Sequence, residues 1–206
     1  MDSIRFLQGL AIGVAMSAPM GPVNVLCIRR TLVHGFWPGL AAGLGAATAD
    51  TLYGVVAAFG VSMVASFLTT HATPLQVGGG VVLCALGLRT LMAAPPQLTT
   101  GPVPTRVLAW GFWSTFLLTL SNPLMLVSLG AIFAAVGLGD EAITTRESIV
   151  LCLGVATGAV AWWGSLIAAV DWLRPRIEAR GLRWVNVVSG GLLLAGGIAV
   201  LAAVSV

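Results

Sequence analysis

Apolar residues run along this chain in long blocks, separated by short polar or proline-rich stretches. A helix needs about 20 apolar residues to cross the hydrocarbon core of a bilayer. Six blocks reach that length, spanning residues 4–28, 38–66, 74–94, 107–137, 149–170 and 184–205. The pattern predicts an all-α, polytopic membrane protein with six transmembrane helices. The segment PPQLTTGPVP, Pro95 to Pro104, is polar, proline-rich and central. It divides the chain into a first three-helix repeat at 1–94, a linker at 95–106 and a second three-helix repeat at 107–206.

The two halves share an ordered set of positions. LGAATADTLY, Leu44 to Tyr53, aligns with LGVATGAVAW, Leu153 to Trp162, with Leu, Gly, Ala and Thr at the same offsets. Gly79-Gly80 in the third block matches Gly190-Gly191 in the sixth, and Gly21-Pro22 in the first matches Asn122-Pro123 in the fourth. An odd number of spans per half inserts the halves in opposite directions, so the expectation is an inverted repeat with its first and fourth helices broken. Proline inside a helix removes a donor and displaces a carbonyl one turn earlier. In hydrocarbon the freed groups need partners in protein or in a wet cavity. Corresponding interrupted helices therefore point to a solute site near the midplane. A half-helix starting at a break presents N–H groups suited to a carboxylate, and the amides of Asn24 and Asn122 add donors and acceptors there.

Asp50 is the one acid deep in any predicted span. A central Asp costs about 2.5–3.5 kcal/mol to insert. Two readings are open: a site that binds a cation or exchanges a proton, or a structural partner for a hydroxyl or amide. Tyr53 follows at i+3 on the same helix face. Thr48 lies nearby, although Thr often bonds its own backbone. Trp162 and Trp163 sit in mid-span, as packing or as a cavity wall. The pairs Gly9/Gly13, Gly35/Gly39, Gly39/Gly43 and Gly154/Gly158 suit close helix contacts, within or between protomers.

Composition narrows the class further. The chain is 58% hydrophobic and 8% charged, with a mean hydropathy of +1.00, far from the ~25% charge of a soluble domain. All ten basic residues are Arg. Arg29, Arg30, Arg89, Arg106, Arg174, Arg176, Arg180 and Arg183 flank alternating loops, which places those loops in the cytoplasm and both termini in the periplasm. The net charge of +3 is too small and dispersed to suggest nucleic acid. Cys27, Cys84 and Cys152 are far apart and follow no metal or disulfide spacing. His34 and His71 have no metal partner in sequence, and no hydrolytic motif is present, so neither a cofactor nor an enzyme is expected.

APMGPVNVL at the first break, GLGAATADTLYG in the second span and SNP in the fourth resemble the LysE/RhtB superfamily of bacterial small-molecule exporters. The resemblance covers nearly the whole chain. It implies proton-driven export of an amino acid or related compound across the inner membrane. The positions it carries over are Gly21, Pro22, Asn24, Asp50, Asn122 and Pro123, to which the residue reading adds Tyr53. Together with the glycine faces it points to a homodimer. Many members have Lys after the Asn-Pro pair; this chain has Leu124. Two other readings remain at this stage: divalent-metal efflux, as in some relatives, and a membrane thiol–disulfide electron carrier. The first has a thin ligand set for a soft metal. The second wants two cysteines close together at the breaks, where this chain has only Cys27, a turn or more away.

Overall fold

The computed structural model describes residues 2–18, 21–59, 71–93, 103–122, 144–176 and 179–204. Within them lie seven α-helices: α1 (Asp2–Ser17), α2 (Pro22–His34), α3 (Phe36–Phe59), α4 (Ala72–Met92), α5 (Thr105–Leu120), α6 (Thr145–Leu173) and α7 (Ala179–Val204). A 3-10 turn, Arg174–Arg176, follows α6. Three stretches, Thr73–Met92, Thr145–Arg176 and Trp184–Ala203, are by themselves long and apolar enough to cross a membrane. Helices α1 and α2 reach that length only taken together, with a bend of 81° between them, and count as a fourth if the pair is one span. The parts of the second and fourth predicted spans at 60–66 and 123–137, and most of the 95–106 linker, lie outside the described residues.

The helix ends follow local chemistry. Gly21 is extended (φ −126°, ψ −178°), as the residue before a proline tends to be. Pro22 then opens α2 in the first helical position, where its missing N–H costs nothing. Gly35 ends α2 at φ 91°, in the left-handed region that favours glycine. Thr144 starts α6 with a capping box, its hydroxyl accepting from the Glu147 N–H at 3.3 Å while its own N–H donates to the Glu147 carboxylate at 3.1 Å.

Packing is governed by small residues. Gly9 and Gly13 of α1 interlock with Gly154 and Gly158 of α6, so these glycine faces are used within one chain. A Cβ on Gly154 would strike the carbonyl of Phe6, and one on Gly13 the carbonyl of Val155. Gly45 of α3 packs on the carbonyl of Phe112 in α5. Gly80 and Gly87 of α4 face Gly197 and Gly190 of α7. Helices α3 and α6 pack against each other as well. The interior is consequently small and partly polar, with Ala42, Ala46, Ala49, Thr31, Thr115 and Asp50 all fully buried. Large apolar side chains point outward, as a lipid-facing exterior requires.

One end of the bundle is basic. Arg29 Nε donates to Asn186 Oδ1 at 3.3 Å, and Asn186 in turn donates to the carbonyl of Ala93 at 3.4 Å. Arg30 donates to the carbonyl of Gly111 and to Ser114 Oγ, both at 2.8 Å. Arg174 donates to the carbonyls of Leu32 and Val33 at 3.0 and 3.4 Å. These bonds tie the end of α2 to α4, α5, α6 and α7, and satisfy carbonyls that a helix end leaves open. Exposed Trp37, Trp172 and Trp184 lie on α3, α6 and α7 towards this end, where an interfacial belt is expected. At the opposite end, ion pairs Arg146–Asp2 and Arg5–Glu147 join α1 to α6.

Gly154→Val is expected to lower the unfolding free energy of the detergent-solubilised protein by about 1–3 kcal/mol through overpacking. Gly164→Ala, where a Cβ meets nothing within 4 Å, should leave it unchanged or slightly higher. Thermal melts of the two variants check the assignment of the α1–α6 seam; equal melts would refute it.

Candidate functional site

The site is organised by one turn of α3. Asp50 is fully buried, and its Oδ2 accepts two hydrogen bonds, from Ser17 Oγ at 2.6 Å and from Trp163 Nε1 at 3.2 Å. Its Oδ1 has no hydrogen-bond partner among the described residues. Ser17 is the last residue of α1, at the first break. Tyr53, three residues on, is fully buried and donates its hydroxyl to the carbonyl of Leu120 at 2.8 Å. Leu120 is the last residue of α5, beside the second predicted break. A single face of α3 thus reaches the C-terminal ends of α1 and α5.

The other side of the breaks forms a cavity. The start of α2, Pro22 and Val23, and the end of α5, Ser121 and Asn122, line a space of about 220 Å³ together with Gly79, Leu83, Leu118 and Gly196. The two glycines keep it open: a Cβ on Gly196 would approach Pro22 to 2.6 Å, and one on Gly79 would approach Ser121 to 2.6 Å. At Gly21 no side chain caps the first N–H groups of α2, so this helix start has backbone donors of the kind that bind anions.

The structure therefore brings the residues expected from sequence into two linked groups. Pro22 and Asn122 share the cavity, with Gly21 immediately before it. Asp50 and Tyr53 stand behind the breaks and do not line that cavity. Asn24 is buried on α2, and Pro123 lies outside the described residues. Thr48 bonds the carbonyl of Leu44 at 2.7 Å on an exposed face, which leaves it outside the site.

Two participants were not anticipated. Ser17 was not among the residues the sequence singled out. Trp163 was weighed as packing or cavity wall, yet its indole N–H is a donor to the buried acid. The available signal was that a buried Trp seeks an acceptor, and the predicted mid-spans contain a single carboxylate. The three cysteines stay apart in the fold. Cys27 lies in the core, Cys84 faces the carbonyl of Leu194 at 4.0 Å, and Cys152 faces the carbonyl of Gly54 at 3.9 Å. This arrangement gives no support to dithiol chemistry at the breaks. Among the described residues no group of three His, Cys, Asp or Glu is placed to hold a metal ion.

Comparison with known proteins gives a consistent result. The family described as LysE type translocator matches residues 14–204. A Bacillus subtilis (strain 168) protein named amino acid efflux protein YcgF is 31% identical over 196 residues, covering 93% of this chain and 92% of its own. The arginine exporter protein ArgO of Klebsiella pneumoniae (strain MGH 78578) is 25% identical over 193 residues, covering 91% of this chain and 89% of its own. That of Salmonella newport is 25% identical over 190 residues, with 90% and 87% covered. No solved structure matches the chain.

Removing one donor to Asp50 should destabilise the fold, because a buried carboxylate loses a charge-assisted bond. Ser17→Ala and Trp163→Phe are each expected to cost about 1.5–3 kcal/mol. The cost of the double variant should depart from their sum, since both donors serve one oxygen. Denaturant titrations of the four proteins in detergent check this; strict additivity would separate the two donors.

Proposed function

This chain belongs to the LysE type translocator family, and from that premise we propose that it exports an amino acid or amino-acid derivative. Transport would cross the bacterial inner membrane by alternating access of two inverted three-helix repeats. It is a transporter and not an enzyme. The curated relatives named above carry amino-acid efflux and arginine export in their names, and this chain matches them over nearly its whole length.

The helix contacts support the repeat. The second helix of the first half, α3, packs through Gly45 on α5, the broken helix of the second half. Its counterpart, α6, packs through Gly154 on α1, the broken helix of the first half. The aligned pair Thr48 and Thr157 make the same bond one turn back, each at 2.7 Å. The third helices of each half, α4 and α7, pack on one another.

The observation that carries the proposal is the Asp50–Tyr53 turn, which links both interruptions through Ser17 and Leu120. The carboxyl of Asp50 holds the end of α1 through Ser17, and Tyr53, one turn along the same helix, holds the end of α5, so a change of charge or occupancy at the acid would reach the second joint through α3. The substrate carboxylate would dock at the start of α2 beside Asn122, in the cavity the two breaks share. About 220 Å³ is below the 300–1,000 Å³ or so of drug-sized pockets, and suits an amino acid. Asp50 would bind the substrate ammonium or carry the coupling proton on Oδ1. In the described arrangement the acid is sealed from that cavity, so the cycle requires the breaks to part before Oδ1 meets solute or water. The basic end would face the cytoplasm and both termini the periplasm.

Asp50→Asn keeps an acceptor for Ser17 and Trp163 and removes the charge. Amino-acid flux driven by a pH gradient in proteoliposomes is expected to fall to background, with the melting temperature retained. Flux equal to wild type would remove Asp50 from the mechanism. A reporter fused after the last residue should be active in the periplasm; activity in the cytoplasm would reverse the orientation.

A further inference from the structure

A second chamber, of about 350 Å³, lies at the basic end of the bundle. Its charged and polar lining among the described residues is Arg29, Arg30, His34, Arg89 and Thr90, with no acid among them. Arg30 is half-committed to Gly111 and Ser114, and Arg29 holds Asn186 through Nε alone, so further guanidinium donors remain on both. Arg89 is exposed. Three guanidiniums converging on one space oppose each other unless an anion joins them, and a planar fork of donors fits a carboxylate in particular.

The position of the chamber gives it a role. It lies between α2, α4 and α5, as does the cavity at the breaks. Leu26 and Leu86 border the chamber, while Val23, Leu83 and Leu118 border the cavity. Val23, Leu26, Leu83 and Leu118 belong to one buried cluster, with Leu86 packed against it. One apolar layer therefore separates the basic chamber from the solute site proposed above.

We propose that this chamber is an anion-selecting vestibule, so that the transporter takes solutes with a net negative charge, such as dicarboxylic amino acids, in preference to cationic ones. This rests on the exporter reading and sharpens it. A positive vestibule raises the local concentration of anions and lowers that of cations before any closer recognition occurs. Arginine, named for several relatives, meets like charge here. An anionic lipid headgroup would bring the same oxyanion chemistry to these arginines, and the experiment separates the two sources.

Two measurements on the full-length protein decide the matter. The first is binding in detergent, read by tryptophan fluorescence, with glutamate and arginine as probes. Trp110 lines the chamber, so glutamate should produce a saturable change that is lost in Trp110→Phe and that arginine does not produce. Arg89→Gln and Arg29→Gln should each weaken half-saturation by about tenfold, the cost of one charge-assisted bond. Arg30 is left intact because its bonds to α5 are structural. The second measurement is flux in proteoliposomes of neutral lipid, with and without added anionic lipid. Glutamate should exceed arginine in both, and the ratio should fall towards one in Arg89→Gln. Arginine moving as well as glutamate, or a ratio untouched by both substitutions, overturns the proposal and leaves the exporter reading standing. Flux that depends on anionic lipid, with that dependence lost in Arg89→Gln at an unchanged solute ratio, overturns it in favour of a lipid site. Specific glutamate binding without flux of any amino acid upholds the chamber and sinks the exporter reading instead.

Discussion

A carboxylate buried among apolar helices is the constraint around which this bundle is arranged. Asp50 cannot face lipid, and every oxygen it exposes to protein needs a donor or remains a liability. The fold answers for one oxygen by two routes. Ser17 is placed there by the end of α1, and Trp163 by the middle of α6. Both routes require the backbones to approach closely, and that approach is what the glycines and alanines of α1, α3 and α6 permit. Gly13 on the Val155 carbonyl and Gly154 on the Phe6 carbonyl bring α1 near enough for a serine, one of the shortest side chains, to reach the acid. The second oxygen, without a partner among the described residues, is the part of the constraint that packing leaves unresolved.

The same logic explains why Tyr53 shares its helix face with Asp50. The last carbonyls of a helix that stops in hydrocarbon need donors. Tyr53 supplies one to Leu120 from a neighbouring helix, where water supplies it in a soluble protein. The first break is held to α3 through a side chain, Ser17, and the second through a backbone carbonyl, Leu120. These anchors differ in chemistry, and so do the aligned sequences: the position aligned with Asp50 is Ala159, itself fully buried. In the proposed repeat, a charge on only one of two related helices would give the two halves unequal responses to the same proton or cation.

Much of this was legible in the sequence because membrane insertion restricts the alternatives so strongly. The break at Gly21-Pro22 follows from proline chemistry, and α1 and α2 separate there. Helix α5 ends at Leu120, two residues before Asn122. The burial of Asp50 and Tyr53 on one face follows from their i+3 spacing. The glycine pairs announced close contacts but not their partners, since helix periodicity gives a face and no address. For that reason Gly9/Gly13 and Gly154/Gly158 proved to serve one intramolecular seam. Trp163 was opaque because its apolar ring and its N–H make opposite demands, and only the position of α6 against α3 shows that the N–H prevails. The chamber at the basic end was opaque for a further reason. Arg29, Arg30 and Arg89 read as topology signals, and the charge count that orients a span does not reveal which arginines share a cavity.

On the proposed reading, those arginines would serve topology and recognition at once. An insertion rule asks only that positive charge stay on one side of the bilayer. Arg174 meets it while capping α2, and Arg30 meets it while binding α5, so both also lock helix ends to one another. Arg89 meets it at the end of α4 while facing a chamber rather than a neighbouring carbonyl. Structural demand is therefore graded across the group: strongest at Arg174 and Arg30, weaker at Arg29 with its single bond to Asn186, least at exposed Arg89. A side chain under little structural demand is the one most available to respond to a solute. On the proposed path the apolar layer of Leu26, Leu83, Leu86 and Leu118 beneath the chamber would supply the complementary property, since a charged group would be stopped there until the helices around it moved. The basic mouth, the apolar layer and the interrupted helices lie in that order along α2, from its C-terminal end to its start.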